Sequence, residues 1–153
     1  MKTKGLQGPG NKLIHQLIIS DLIFGIRKHF LKKHWSKKYA VVPEISVDEL
    51  GYINFKHNYN IDFLIYDKEL FNIKLILEIE RKDKSMSRTK KKIHECLLYI
   101  PNLEAYIIQI NKNDIEFISL SLDNKGKLKM ENNKSRSRFL KKDLKSMIKC
   151  IKE

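Results

Sequence analysis

Two short apolar runs each carry acids: Asn60-Ile61-Asp62-Phe63-Leu64-Ile65-Tyr66 and Ile73-Lys74-Leu75-Ile76-Leu77-Glu78-Ile79-Glu80-Arg81-Lys82. On a strand, side chains alternate faces with a period of two. In the second run Ile76, Glu78, Glu80 and Lys82 therefore share one face, and Leu75, Leu77 and Ile79 the other. The run is apolar on both faces at first and turns acidic only at its end, which is how a sheet carries carboxylates from a core to a cleft. Carboxylate oxygens suit hard divalent cations such as Mg²⁺ (or Mn²⁺), and a neighbouring ammonium suits a phosphate oxygen or a developing hydroxide. The chemistry this pattern suits is phosphodiester hydrolysis.

The elements that must position these acids can be read from spacing. Residues 1–10, with Gly5, Gly8, Pro9 and Gly10, form a breaker-rich, flexible lead-in. Leu13, Ile14, Leu17, Ile18, Leu22, Phe24, Ile26, Phe30 and Leu31 recur at helical spacing and predict one long helix with a broad apolar face from about Asn11 to Trp35. Tyr39 to Val47 reads as a strand with Tyr39, Val41, Pro43, Ile45 and Val47 on one face; Pro43 marks an edge or a bulge. The two acidic runs follow as strands joined around Asp67-Lys68-Glu69. Ser85 or Ser87 can cap a second helix, whose stripe is Ile93, Cys96, Leu97 and Ile100 and whose stop is Pro101-Asn102. Glu104 to Ile110 and Asp114 to Leu122 alternate as a hairpin around Asn111-Lys112-Asn113. From Ser137 onward, Phe139, Leu140, Leu144, Met147, Ile148 and Ile151 place an amphipathic helix that docks on the sheet.

The chain has 153 residues, enough for one domain with a real core: a lead-in over 1–10, a core over 11–122 and a basic C-terminal extension over 123–153. Thirty-one Lys and Arg against eighteen Asp and Glu leave a net charge of +13, which favours a polyanionic partner. Three clusters carry the charge: Arg27 to Lys38, Arg81 to Lys92 and Lys125 to Lys149. Arg27, Lys28, Lys32, Lys33, Arg88, Lys91 and Lys92 are the candidate phosphate contacts. The cluster after Arg27 also has an ordinary explanation, since cations complement the dipole at a helix C-terminus. No stretch approaches the roughly 18 apolar residues of a spanning helix, so a membrane partner is not expected. Cys96 and Cys150 lack a nearby second thiol, and the five histidines show no metal-ligand spacing. A reducing, cytoplasmic setting is the default.

The order of helix, three strands, helix, two strands and helix, with acids at the start of the middle strand and the end of the next, resembles the restriction-endonuclease-like PD-(D/E)XK superfamily. Asn60-Ile61-Asp62 looks like the PD element without its proline. Glu78-Ile79-Glu80 or Glu80-Arg81-Lys82 looks like the (D/E)XK element. The resemblance implies an α/β (α+β) fold, with a mixed central sheet of about five strands flanked by helices around an αβββαβ core. It also implies a divalent-metal nuclease, with DNA ahead of RNA as substrate. Asp62 and Glu78, with Glu44 or Glu80 assisting, would hold Mg²⁺ or Mn²⁺. Lys82 would stabilise the transition state, and Lys90, Lys91 or Lys92 could take its place if Glu80 fills the lysine slot. A branch of endonucleases with a His-containing first helix, a Val-x-Glu strand and a Tyr-rich later strand is also similar, through His15, Glu44 and Tyr106. Such nucleases commonly dimerise to cut two strands, so a homodimer is compatible with this chain.

Each candidate also has an ordinary reading. Asp62 can cap a turn at a strand start, Glu78 and Glu80 can defend an edge strand by charge, and Lys82 lies in a run of solvated lysines. His15 suits a helix surface, and Trp35, Tyr39 and Tyr52 suit a core rim as well as a base-stacking surface. Two functions from different classes thus stand side by side: a metal-dependent nuclease, and a catalytically inactive nucleic-acid-binding module of the same fold.

Overall fold

The computed structural model describes the backbone of residues 2–52, 54–81, 86–111, 114–132, 137–140 and 147–148, and the side chains of these from residue 13 on except 111 and 114. Its first element is α1 (Lys2–Lys32). The helix starts at Lys2, whereas the glycines and Pro9 predict a flexible lead-in to residue 10. The helical phase nucleated after Asn11 is carried back through the breakers by the residues between them, although Pro9 has no N–H to donate to Gly5 O and leaves that rung of the ladder unmade. At the other end α1 stops before Trp35. His34 is in the left-handed region at φ 59°, its N–H donates to Leu31 O at 3.2 Å, and Trp35 N–H donates to Phe30 O at 2.9 Å. This is a Schellman closure, completed by the Phe30 and Trp35 rings 6.0 Å apart.

The remaining elements are β1 (Tyr39–Ser46), β2 (Asn60–Asp67), β3 (Asn72–Arg81), α2 (Ser87–Tyr99), β4 (Glu104–Asn111), β5 (Asp114–Leu122) and β6 (Leu128–Asn132). Among the described residues the fold is α+β: one mixed six-stranded sheet with spatial order equal to chain order, and two helices. Every neighbouring pair is antiparallel except β3 and β4, which are parallel and joined through α2. The sixth strand exceeds the expected five. Its Leu-Lys-Met-Glu-Asn segment is almost wholly exposed, so it has no apolar alternation to betray it; it is recruited by the Asp123–Gly126 turn.

Two apolar layers cover the sheet. On one face Ile18, Leu22, Ile26 and Phe30 of α1 pack on Val41, Phe63, Ile65, Leu75, Leu77 and Ile108. On the other, Ile93 and Cys96 of α2 pack on Ile61, Leu64, Ile76, Ile107 and Ile118. Each fully buried Leu, Ile or Phe contributes about 1.5–3 kcal/mol. Phe139, Leu140, Met147 and Ile148 close the first layer, although Ser137–Leu140 is not helical; residues 141–146 and 149–153, where most of the expected C-terminal helix falls, lie outside the described residues. Arg138 sits over the rings of Trp35, Tyr39 and Phe139 at 5.3, 5.5 and 5.0 Å, so Trp35 and Tyr39 form an internal aromatic lock. Among the described residues no helix is long and apolar enough to cross a membrane.

Strand alternation breaks at one place that matters. Tyr39 and Val41 face the α1 layer, whereas Ile45 and Val47 join the α2 layer, so β1 does not keep the single face its alternation predicts. The switch falls at Glu44, whose φ is 49°. On the neighbouring strand Phe63 and Ile65 face α1 while Ile61 faces α2, with Asp62 between them. The register pairs Pro43 with Phe63 and Ile45 with Ile61, so Glu44 and Asp62 lie opposite one another where both strands change face.

Candidate active site at the parting of β2 and β3

Backbone pairing of β2 with β3 runs to Phe63 opposite Leu77. Beyond it the strands part, and carboxylates take over the backbone groups. Glu78 Oε2 accepts the N–H of Asp62 at 2.7 Å, and Asp62 Oδ2 accepts the N–H of Ile79 at 2.9 Å. β3 stays on β4, with Glu78 opposite Ile107 and Arg81 opposite Ile110, so the gap opens on the β2 side alone.

Both helices send a cation into this gap. His15 of α1 places Nε2 3.2 Å from Asp62 Oδ2, and Lys92 of α2 puts its ammonium on Glu78 Oε1 while donating to Asn60 O at 2.7 Å. Next to His15 on the helix, the Gln16 amide donates to Glu44. His15, Asp62, Glu44, Glu78 and Lys92 therefore form one connected cluster built from five elements.

Electrostatics follow from burial. Glu78 is 1% exposed. Desolvation raises its carboxyl from the ordinary 4.5 to about 7, with the Asp62 charge adding to the rise and Lys92 and the Asp62 amide opposing it. The hydrogen bond to Asp62 holds the His15 imidazole above its ordinary 6.5; burial works against this, and the charges of Asp62, Glu44 and Glu78 reinforce it.

The other sequence candidates separate into groups. Glu80 is engaged by the Thr89 hydroxyl, which brings negative charge to the first turn of α2, a turn with no acid of its own. That turn begins at Ser87, and its N-cap is Met86, which makes no side-chain cap bond. Ser85 and Lys82 lie outside the described residues. Arg88 and Lys91 are exposed on α2, the helix that carries Lys92. Arg27, Lys28, Lys32 and Lys33 are exposed at the far end of α1, with Arg27 about 18 Å along the helix from His15. A cavity of about 440 Å³ at the start of β4 is lined by Glu104, Tyr106, Ser119, Ser121 and Glu131 among others, and includes no member of the cluster. Tyr106 donates to Glu104 at 2.7 Å there, away from Asp62.

The sequence alone gives His15 little weight and offers Lys92 only as one of three helix lysines. A signal was present for both. His15 is in phase with Ile18, Ile19, Leu22 and Ile26, the buried stripe of α1, and Lys92 is in phase with Thr89, Ile93 and Cys96, the buried stripe of α2. A polar residue in step with a buried stripe must meet a partner inside.

The donor set fits a hard divalent cation in kind. Two carboxylates abut one another, burial penalises the Glu78 charge, and among the described residues both contacts of the Asp62 carboxylate use Oδ2 rather than Oδ1. Among the described residues no three His, Cys, Asp or Glu side chains already converge as a coordination shell. No protein-family model matches the chain, and no curated protein matches it.

Proposed function

We propose that this protein is a divalent-metal-dependent nuclease that hydrolyses phosphodiester bonds, with DNA as its substrate, on a restriction-endonuclease-like core. The observation that carries the reading is the parting of β2 and β3, where Asp62 and Glu78 replace backbone partners and Lys92 and His15 converge on them. The element order α1-β1-β2-β3-α2-β4 supports the same core, and the net charge of +13 suits a polyanionic substrate. A cytoplasmic setting accompanies this reading.

In this mechanism Asp62 and Glu78 would hold Mg²⁺ or Mn²⁺, and Glu44, opposite Asp62 on β1 and held by the Gln16 amide, would assist. The bound ion would supply charge neutralisation at the scissile phosphate and a more acidic water. Lys92, only 17% exposed, takes the role first assigned to Lys82: its ammonium answers a non-bridging phosphate oxygen. His15, held on Asp62, carries the proton that a leaving oxygen requires. Arg88 and Lys91 on α2 draw the backbone of the nucleic acid toward the gap.

A second reading rests on a specific contact. The Lys92 ammonium already sits on Glu78, where it can neutralise the carboxylate permanently; the protein would then bind nucleic acid without cutting it. The deciding experiment is cleavage of labelled plasmid, single-stranded DNA and RNA with Mg²⁺ or Mn²⁺, beside Asp62→Asn and Glu78→Gln. Metal-dependent cutting lost in both variants supports the nuclease. Equal, inert binding by all three supports the module.

A further inference from the structure

Helix α1 is apolar on two opposite faces. Ile18, Ile19, Leu22, Ile26 and Phe30 point into the sheet. At about 100° per residue, Leu13, Leu17, Phe24 and Leu31 fall within about 20° of a single line on the other side of the helix. That second stripe is open: Leu13, Phe24 and Leu31 are 59, 62 and 67% exposed, and Leu17 is 42%. A helix that is apolar all round is normally covered on all sides.

The stripe has the symmetry of a surface that pairs with itself. Counted from Phe24, Leu17 lies seven residues before and Leu31 seven after. Asp21, the only acid of α1, lies three before and Arg27 three after. Two copies laid antiparallel with Phe24 on Phe24 would set each Leu17 against the other copy's Leu31, and each Asp21, on the same flank of the helix as Lys28, beside the other's Lys28. Ser20 would meet Arg27. A parallel pairing would instead set each Arg27 beside the other copy's Lys28. An anionic lipid surface would favour Arg27 and Lys28 but repel Asp21.

We propose that a second copy of this chain covers the outer face of α1, the two helices running antiparallel about a two-fold axis at Phe24. Such an isologous contact is closed, giving a dimer rather than a filament. It leaves His15 on the inward face of each helix, and it stands independently of the nuclease reading.

The test uses the full chain. Sedimentation velocity across about 1–100 µM should show a monomer–dimer equilibrium, and Phe24→Glu should raise the dissociation constant by about 30-fold or more, as loss of a central anchor does. Its thermal melt at high dilution should match wild type, since Phe24 lies outside the core. Cysteine cross-linking reports the orientation independently of any change in stability. Under oxidation Phe24→Cys should give a covalent dimer, and a mixture of Leu17→Cys with Leu31→Cys should cross-link. Neither of the latter should do so alone beyond the wild-type background from Cys96 and Cys150, because like positions would be about 21 Å apart along the axis. A wild-type monomer throughout the range overturns the proposal. So does a dimer indifferent to Phe24→Glu, a Leu17→Cys chain that cross-links to itself, or a monomer that sediments with phosphatidylglycerol vesicles through this face.

Discussion

Glu78 accepts the backbone N–H of Asp62 at 2.7 Å, while Asp62 accepts the N–H of Ile79, the residue after Glu78, at 2.9 Å. Each acid thus closes the other strand's broken ladder. The bonds hold the two carboxylates beside one another at the point where β2 leaves β3. Backbone amides that a sheet would normally satisfy become donors that orient acids, at the mouth of a gap wide enough for Lys92 and His15 to enter from opposite layers.

If this pair is catalytic, Asp62→Asn and Glu78→Gln each lower Mg²⁺-dependent cleavage by at least about 100-fold, the scale on which loss of one electrostatic group acts. Folding should survive, because both amides keep an acceptor oxygen for the backbone N–H. Initial rates on supercoiled plasmid, with circular dichroism melts as control, check this.

The pH dependence of stability follows from the same cluster. Glu78 keeps its proton in the native state up to about 7 but loses it in the unfolded chain near 4.5, so the native state binds more protons across that window and stability falls as pH rises through it. The His15–Asp62 pair has the same sign: its contribution is full below 6.5 and is lost as pH climbs through the raised native value. The melting temperature should therefore decline from pH 5 to pH 8, and Glu78→Gln should flatten the lower part of the slope. A bound cation selects the ionised carboxylates, so added Mg²⁺ should raise the melting temperature more at pH 8 than at pH 5.

Lys92→Met leaves Glu78 buried without its cation. Breaking one side of a buried pair costs about 3 kcal/mol. The loss should be large at pH 8 and small at pH 5, where the native Glu78 is protonated in wild type as well. Urea denaturation at the two pH values measures the difference; an equal loss at both would mean that the ammonium packs rather than pairs.

His34→Gly should stabilise the protein by about 1 kcal/mol, because His34 closes α1 in the left-handed region at φ 59°, where a Cβ is strained and glycine is not. The site is exposed, so no packing is lost. A rise of about 2–4 °C in melting temperature is the expected reading.

Arg138→Ala should loosen the aromatic lock. It removes a guanidinium lying 5.0–5.5 Å from three rings, together with the hydrogen bond it donates to the Tyr39 hydroxyl. A cost of about 1–2 kcal/mol is expected. Trp35 is the only tryptophan, so a red-shifted emission maximum at its ring reports the change directly.

The sequence by itself determined the local elements, because they rest on periodicity. The alternation of Leu75, Ile76 and Leu77 marked β3, the run from Ile61 to Tyr66 marked β2, and the stripe of Ile93, Cys96 and Ile100 marked α2. It also exposed Asp62 and Glu78, since an acid inside an apolar strand is an anomaly at any fold. Boundaries were less legible: α1 propagates through Pro9, and β6 carries no apolar face by which to be seen. Only the tertiary structure decided which lysine of α2 meets Glu78. Lys90, Lys91 and Lys92 are indistinguishable as letters after a motif, and choosing Lys92 requires knowing that α2 crosses the sheet from β3 to β4 with that side chain turned toward Glu78. The same holds for His15, 47 residues before Asp62 in the chain and 3.2 Å from it in space. Periodicity is a property of neighbours along the backbone. A site gathered from five elements depends on register and on which face each strand presents, and both are settled only when the two apolar layers close.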